Sequence, residues 1–359
     1  MIRILDWETI RPEEILNRDI RAEADVGAAV DAVIADVRKN GDAALLRYTE
    51  RFDGVSLTAL EVTAAEMDAA WAALDEDFKT TLQMAADNIR RFHERQVHND
   101  FVLTDRPGIV MGQRYTPIRR VGVCVPRSPE AFPSTILMNV IPARIAGVEE
   151  IFVVTPPDQT GAVSAEALAA AKIAGADRIF KVGGAQAVAA LAYGTETIPA
   201  VDKVVGPGGI FVATAKRKVF GQVGIDMIAG PSEILVLSDG GSDPAWVAAD
   251  LLSQAEHDVC ASAVLVTDSR PLAQAVQREL EEQLAALPRR DIAAKALNDN
   301  GKIIVTADLS AAVEAVNRIA PEHLELCVAD PFALLPQIRN AGSVFLGRSA
   351  PEALGDYFA

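Results

Sequence analysis

The chain has 359 residues, half of them hydrophobic, with 50 acidic side chains against 34 Lys and Arg and a formal net charge of −16. That length accommodates two domains, or one large α/β unit with an inserted lobe, around a sizeable core. The negative charge repels phosphate backbones and anionic bilayers, which argues against nucleic-acid or membrane-surface roles, and no run reaches the roughly 18 apolar residues of a membrane span.

The opening MIRILDWETI carries charge and no apolar core run, so it does not read as a signal peptide and a cytoplasmic location is expected. Cys124, Cys260 and Cys327 lie far apart and form no CxxC, which fits a reducing compartment and thiols that act as small buried hydrophobes. Residues 1–21 are polar with short apolar fragments and read as an arm. From Ala22 the pattern is helical: Val26, Val30, Val33, Ile34 and Val37 recur at helical spacing, and Asn40-Gly41 supplies a stop. Further helices are expected over 65–74 and 80–95, which makes the first hundred residues mainly helical.

Near Arg120 the character changes. Short apolar runs at 121–125, 151–154, 179–182 and 201–205, then 234–237, 263–266, 303–305, 324–328 and 343–346, alternate with amphipathic stretches long enough for crossover helices. The alternation predicts an α/β fold with largely parallel, doubly wound sheets: two Rossmann-like lobes plus an N-terminal helical segment. Turns fall at Pro126, Thr155-Pro156-Pro157, Gly183-Gly184 and Gly206-Pro207-Gly208-Gly209. Boundaries near Val121 and Ser232 give an inserted lobe, 121–231, of four or five strands, the expected cofactor side. Residues 22–120 and 232–359 would form a discontinuous second lobe. Segments 152–156 and 265–269 share a strand–Thr–turn pattern, a slight sign of duplication.

Asp243 and Pro244 read as N-cap and first residue of a helix running to about His257. On it Asp250, Gln254 and His257 follow i, i+4, i+7 spacing. An amide oxygen and an imidazole side by side can hold a zinc ion; the plainer reading is a polar helix C-terminus whose His meets the last carbonyls. Glu322-His323 stands directly before an apolar strand-like run. An acid beside a histidine at the mouth of a strand can supply general-base chemistry; the alternative is a helix cap and a surface His. His93 and His98 sit in a charged stretch and receive no role. The turns ending in Gln186 and in Gly209 each open a helix, as loops that bring a nucleotide to backbone N–H groups do, but neither matches GxGxxG. Ser232, in Ala229-Gly230-Pro231-Ser232-Glu233, stands at the expected lobe boundary, where clefts bind ligands. Asp356 is an acid beside a glycine in the closing PEALGDY.

Together these segments resemble the histidinol dehydrogenase family over nearly the whole chain. The stretches that carry the resemblance are FPSTILMNVIPARIAGV, KVGGAQAVAALAYGTETIPAVDKVVGPG, AKRKVFGQVGIDMIAGPSEILV, LLSQAEHD, RIAPEHLEL and PEALGDY. The resemblance implies a zinc-dependent homodimer that uses NAD. It would oxidise the amino alcohol L-histidinol through histidinal to L-histidine, in two hydride transfers that end histidine biosynthesis. The family's zinc ligands map onto Gln254, His257 and Asp356, where the metal mainly orients the substrate. Its catalytic pair maps onto Glu322, which would activate water, and His323, which would accept the alcohol proton. Substrate contacts would come from Ser232, Gln254, His257, His323 and Asp356, with the zinc and catalytic residues converging from three separate segments. Cofactor contacts would come from Cys124, Gln186 and Gly209.

Four positions depart from the family pattern. Tyr is usual at Cys124, Asn at Gly209, and a glycine pair at Arg127-Ser128. In the family a further C-terminal segment follows the GDY motif and gives the partner subunit another zinc ligand and a substrate-binding glutamate. That segment is expected to be missing here, leaving three zinc ligands in this chain. Two other readings stay open: a paralogue oxidising a different small alcohol, such as a sulfonated diol, and a non-catalytic homologue that keeps the fold.

Overall fold

Residues 2–11, 21–126 and 132–358 are described in this computed structural model, apart from the side chains of 21–25, 356 and 357. The chain divides into two units, Met1–Asp19 with Gly230–Ala359, and Ile20–Ala229. The residues read as an arm begin with strand β1 (Arg3–Asp6), which belongs to the first unit's sheet.

The second unit opens with the helix Arg21–Asp53. The stop expected at Asn40-Gly41 is a kink. Gly41 leaves helical geometry (φ 49°, ψ −133°), the Asp42 N–H donates to Glu196 Oε2 at 2.7 Å, and the helix resumes. Helices Ala64–Ala73 and Glu76–His93 follow, the first started by a capping box between Thr63 and Glu66. Strands β2 (Phe101–Arg106) and β3 (Ile109–Gln113), which the helical reading of this region did not include, then form an antiparallel hairpin exposed along its whole length.

The unit's main sheet contains β4 (Arg120–Cys124), β5 (Glu150–Thr155), β6 (Arg178–Lys181), β7 (Lys203–Val205) and β8 (Gly224–Ile225). Their order is β6-β5-β4-β7-β8, and every pairing is parallel. Both faces are covered, so the strands read as continuous apolar runs. Along β5, Phe152 and Val154 enter one core with Val188 and Leu191, whereas Ile151 and Val153 enter the opposite core with Ile136 and Val140. Phe152 is fully buried and meets Phe180 edge-on at 6.0 Å between centroids. Phe152→Ala is expected to destabilise by about 3–5 kcal/mol, the usual cost of emptying an aromatic site in a packed core. Urea unfolding of the two proteins checks this, and a change under 1 kcal/mol would show that the core collapses into the space.

The first unit resumes with β9 (Glu233–Ser238), β10 (Ser262–Thr267), β11 (Lys302–Val305), β12 (His323–Cys327) and β13 (Ser343–Leu346). The sheet order is β1-β11-β10-β9-β12-β13, again all parallel. The two units trace the same path. An inner strand comes first, two strands are added on one side, and the chain then crosses to the other side. The segments 152–156 and 265–269 fall at the second strand of each path, β5 and β10.

The assignment of 22–120 to the outer lobe is corrected. Helix Arg21–Asp53 packs on helices Gly184–Tyr193 and Ile210–Val219, Ala64–Ala73 packs on Ala165–Ala174, and Glu76–His93 packs on Pro133–Ile145. The cause is the apolar stripe of Val30, Val33, Ile34 and Val37, which is buried in the same core as Val188 and Leu191.

Candidate active site

Helix Pro244–Ala255 is started by Asp243, whose Oδ1 accepts the Ala245 N–H at 2.9 Å, and by Pro244 in its first turn. In a β–α–β unit the helix runs back against its strands, so its C-terminal end returns to the edge of the sheet where strands begin. The helix ends at Ala255, with Glu256 as cap, so His257 lies beyond it and the expected i+7 alignment does not hold. Instead the His257 N–H donates to the Gln254 carbonyl at 3.2 Å.

Gln254 is 2% exposed, and its Oε1 has no hydrogen-bond partner among the described residues. A buried acceptor left unpaired is costly and calls for a reason; a bound cation supplies one. His257 is an exposed residue whose ring is nonetheless partly stripped of water. That desolvation, joined by repulsion from Arg289 and His323, holds its pKa below the usual value against the opposing pull of Glu256 and Glu322. It therefore presents a neutral imidazole, the form that binds metals. Among the described residues no group of three or more His, Cys, Asp or Glu is placed to hold a metal. Asp356 belongs to the final helix, Glu352–Tyr357, and its side chain lies outside the described residues. The two donors that are described fit a zinc ion in chemistry and in need.

Glu322 and His323 reach the same edge from another direction. Helix Leu309–Ile319 is ended by Ala320 in the left-handed region (φ 51°), and Pro321 prevents its continuation. β12 then begins at His323, in register with Ile234 of β9. The backbone of Glu233 holds both side chains. Its N–H donates to Glu322 Oε2 at 3.1 Å, and its carbonyl accepts from His323 Nδ1 at 3.0 Å. A carbonyl can only accept, so Nδ1 carries the hydrogen and, in the neutral ring, Nε2 keeps its lone pair. Ser232 is the neighbouring residue, with its carbonyl accepting the Ser262 N–H at 3.0 Å.

Three acids that the sequence reading did not single out as site residues join this group. Glu352 is buried with Oε1 3.9 Å from His323 Nε2. Glu325, in the middle of β12, is completely buried; its Oε1 accepts the Glu352 N–H at 2.7 Å and its carboxyl is hydrogen-bonded to Asp250. The sequence did carry a signal for Glu325: it is an acid inside the apolar run HLELC, and such a residue in a strand covered on both faces is seldom buried without a partner. Asp250 lies on the Gln254 helix, where its spacing alone assigns it no role.

In the second unit, β4 and β7 flank the point where the sheet changes direction, and ligands bind open α/β sheets outside the carboxyl ends of the strands at such points. A cavity of about 240 Å³ lies there, lined by Cys124, Pro126, Gly183, Gly184, Gly209 and Phe211 among others. Two of the expected cofactor residues, Cys124 and Gly209, therefore meet. Gln186 does not line the cavity. It is 3% exposed and folded against Gly184, where a Cβ would meet its Oε1 at 2.8 Å. Arg127 and Ser128 lie outside the described residues. Burial pushes the Cys124 thiol up to about 12, so it offers a neutral wall rather than a nucleophile.

Gly206 (φ +98°) turns the chain so tightly that a Cβ would sit 2.3 Å from the Cys124 carbonyl oxygen. Gly206→Ala is expected to cost about 1–3 kcal/mol through backbone strain alone, and to lower the melting temperature. An unchanged melting curve would show that the loop relaxes freely.

Two parallel, doubly wound sheets, one with a crevice at its switch point and the other with an acid–histidine pair beside potential metal donors, define the class as an α/β enzyme. A family model described as histidinol dehydrogenase matches residues 16–359. Histidinol dehydrogenase of Geobacillus kaustophilus is 54% identical over 354 residues, which span 98% of this chain and 83% of that protein. The Rhizobium meliloti enzyme is 52% identical over 335 residues, spanning 93% and 77%. The crystal structure of histidinol dehydrogenase from Elizabethkingia anophelis superposes with a TM-score of 0.94 at 37% identity, over 99% of this chain and 82% of that one. The chain belongs to the histidinol dehydrogenase family and is an oxidoreductase of histidine biosynthesis. Among the described residues, no helix is long and apolar enough to cross a membrane.

Proposed function

We propose that the protein oxidises L-histidinol to L-histidine with two equivalents of NAD, as a zinc-dependent homodimer in the cytoplasm. The observation that carries the reading is the Glu233 tether, which holds Glu322 and His323 side by side with Nε2 of His323 able to accept a proton. In the first oxidation His323 would take the alcohol proton, and NAD, when bound, would supply the hydride acceptor for both oxidations. Glu322 would accept a proton from the water that adds to the aldehyde, and His323 would take the hydroxyl proton of the resulting hydrate as it is oxidised to the acid. Gln254, His257 and Asp356 would hold the zinc ion, which supplies a fixed grip on the substrate's imidazole and amine. The cavity at the β4/β7 switch point is the place for NAD, with Cys124 and Gly209 against it. The exposed apolar hairpin β2–β3, with Val102 and Val110 outward, gives a dimer surface to bury.

The test is NADH formation from L-histidinol, NAD and zinc, with a panel of other small alcohols alongside. The expected result is turnover of histidinol at a ratio of two NADH per substrate, lost for the most part on chelation and restored by zinc. Turnover of another alcohol with none of histidinol would replace this reading by the paralogue one. Turnover unaltered in metal-free protein would remove zinc from it.

A further inference from the structure

The carboxyl of Glu325 touches no solvent and lies among groups that the proposed chemistry leaves unused. It is held between two elements. On one side is Asp250, one turn before Gln254 on the helix Pro244–Ala255. On the other is the N–H of Glu352, the first residue of the helix that carries Asp356. The three segments that supply the expected metal donors and the catalytic pair thus meet at one buried side chain, two residues beyond His323 on β12.

We propose that Glu325 is a positioning residue, a neutral bridge that sets the helix of Asp356 against the helix of Gln254 and so fixes the spacing of the metal donors. Two hydrogen-bonded carboxyls, one of them completely buried, are not both ionised; one carries a proton. Glu325 keeps it, because full burial and the charge on Asp250 both oppose its ionisation. The protonated carboxyl then donates to Asp250 and accepts from the Glu352 N–H, which matches the donor and acceptor of a primary amide. The inference rests on the zinc reading of Gln254, His257 and Asp356, and it extends that reading to a residue that touches neither metal nor substrate.

The test uses the full chain with Glu325→Gln and Glu325→Met, two variants of similar volume. Zinc affinity is measured by titration with the metal alone, and hydrogen exchange at the Glu352 amide is measured in metal-free protein. Glu325→Gln is expected to keep zinc affinity within about threefold of the parent and to leave the amide protected. Glu325→Met is expected to weaken zinc by about 10–100-fold, the usual effect of removing a group that orients a ligand, and to speed exchange at Glu352. Zinc binding by the Met variant at parental strength, or equal loss in both variants, would overturn the proposal. If the Met variant does not fold, Asp250→Asn and Asp250→Ala take its place. The first still accepts from Glu325 and should bind zinc normally; the second should not, and equal behaviour of the two would overturn the bridge. Absence of zinc binding by the parent would refute the metal reading instead, while the exchange experiment still decides the role of Glu325.

Discussion

His323→Asn is expected to lower NADH formation from L-histidinol by about 10²–10⁴-fold, the range by which a positioned general base accelerates proton transfer, with the folded structure intact. The reasoning starts at Nδ1, which donates to the Glu233 carbonyl at 3.0 Å. The side-chain amide of Asn can supply an N–H to the same region, so β12 should still pair with β9. It has no nitrogen lone pair equivalent to Nε2, however, and an amide oxygen is far too weak a base to take the alcohol proton. Most of the loss should appear in kcat, because the proton is transferred after the substrate is bound. Adding an external base such as imidazole should recover part of the rate. A variant that keeps more than a tenth of the parental kcat would remove His323 from the role of base. A variant with normal kcat but a raised KM would make it a binding residue only.

The second large effect concerns pH and stability. Burial, and then the charge of Asp250, push Glu325 up to about 9, and burial also raises Asp250. A carboxyl that holds its proton more tightly in the folded than in the unfolded chain stabilises the fold fully below its unfolded pKa, about 4.5. That contribution is lost as pH rises through its folded value. Between about pH 5 and pH 9 the parent should therefore lose stability relative to Glu325→Gln, which keeps both hydrogen bonds without a proton to lose. The slope is bounded at about 1.4 kcal/mol per pH unit for each proton linked to folding. Urea unfolding of both proteins at pH 5, 7 and 9 measures it. Other titrating groups are common to the two proteins and largely cancel in the difference. Parallel stability curves would mean that Glu325 is not selectively protonated in the folded state.

Local sequence was a good guide wherever one element's own chemistry decided the outcome. Strands covered on both faces must be apolar throughout, so β4, β5, β9 and β10 stood out as short hydrophobic runs between glycine and proline turns. Asp243-Pro244 marked a helix start because the cap needs only its own side chain and the next few N–H groups. The acid–histidine pair and the Gln254–His257 pair were visible as residue types whose chemistry is their own.

What local sequence could not decide was which surfaces meet. β1 is a short run in a polar stretch, and it becomes a strand because the edge of β11 is open to it. The N-terminal helices carry an apolar stripe that fits any apolar partner, and only the packed core shows that the partner is the second unit. The Glu233 backbone reaches Glu322 and His323 because β9 and β12, far apart in the chain, are neighbours in the sheet. Glu325 is one acid among many until the helices of Asp250 and Glu352 close over it and take away its water. Periodicity and capping act over a few residues, whereas burial and pKa are set by contacts between distant ones, and those exist only once the sheet has formed.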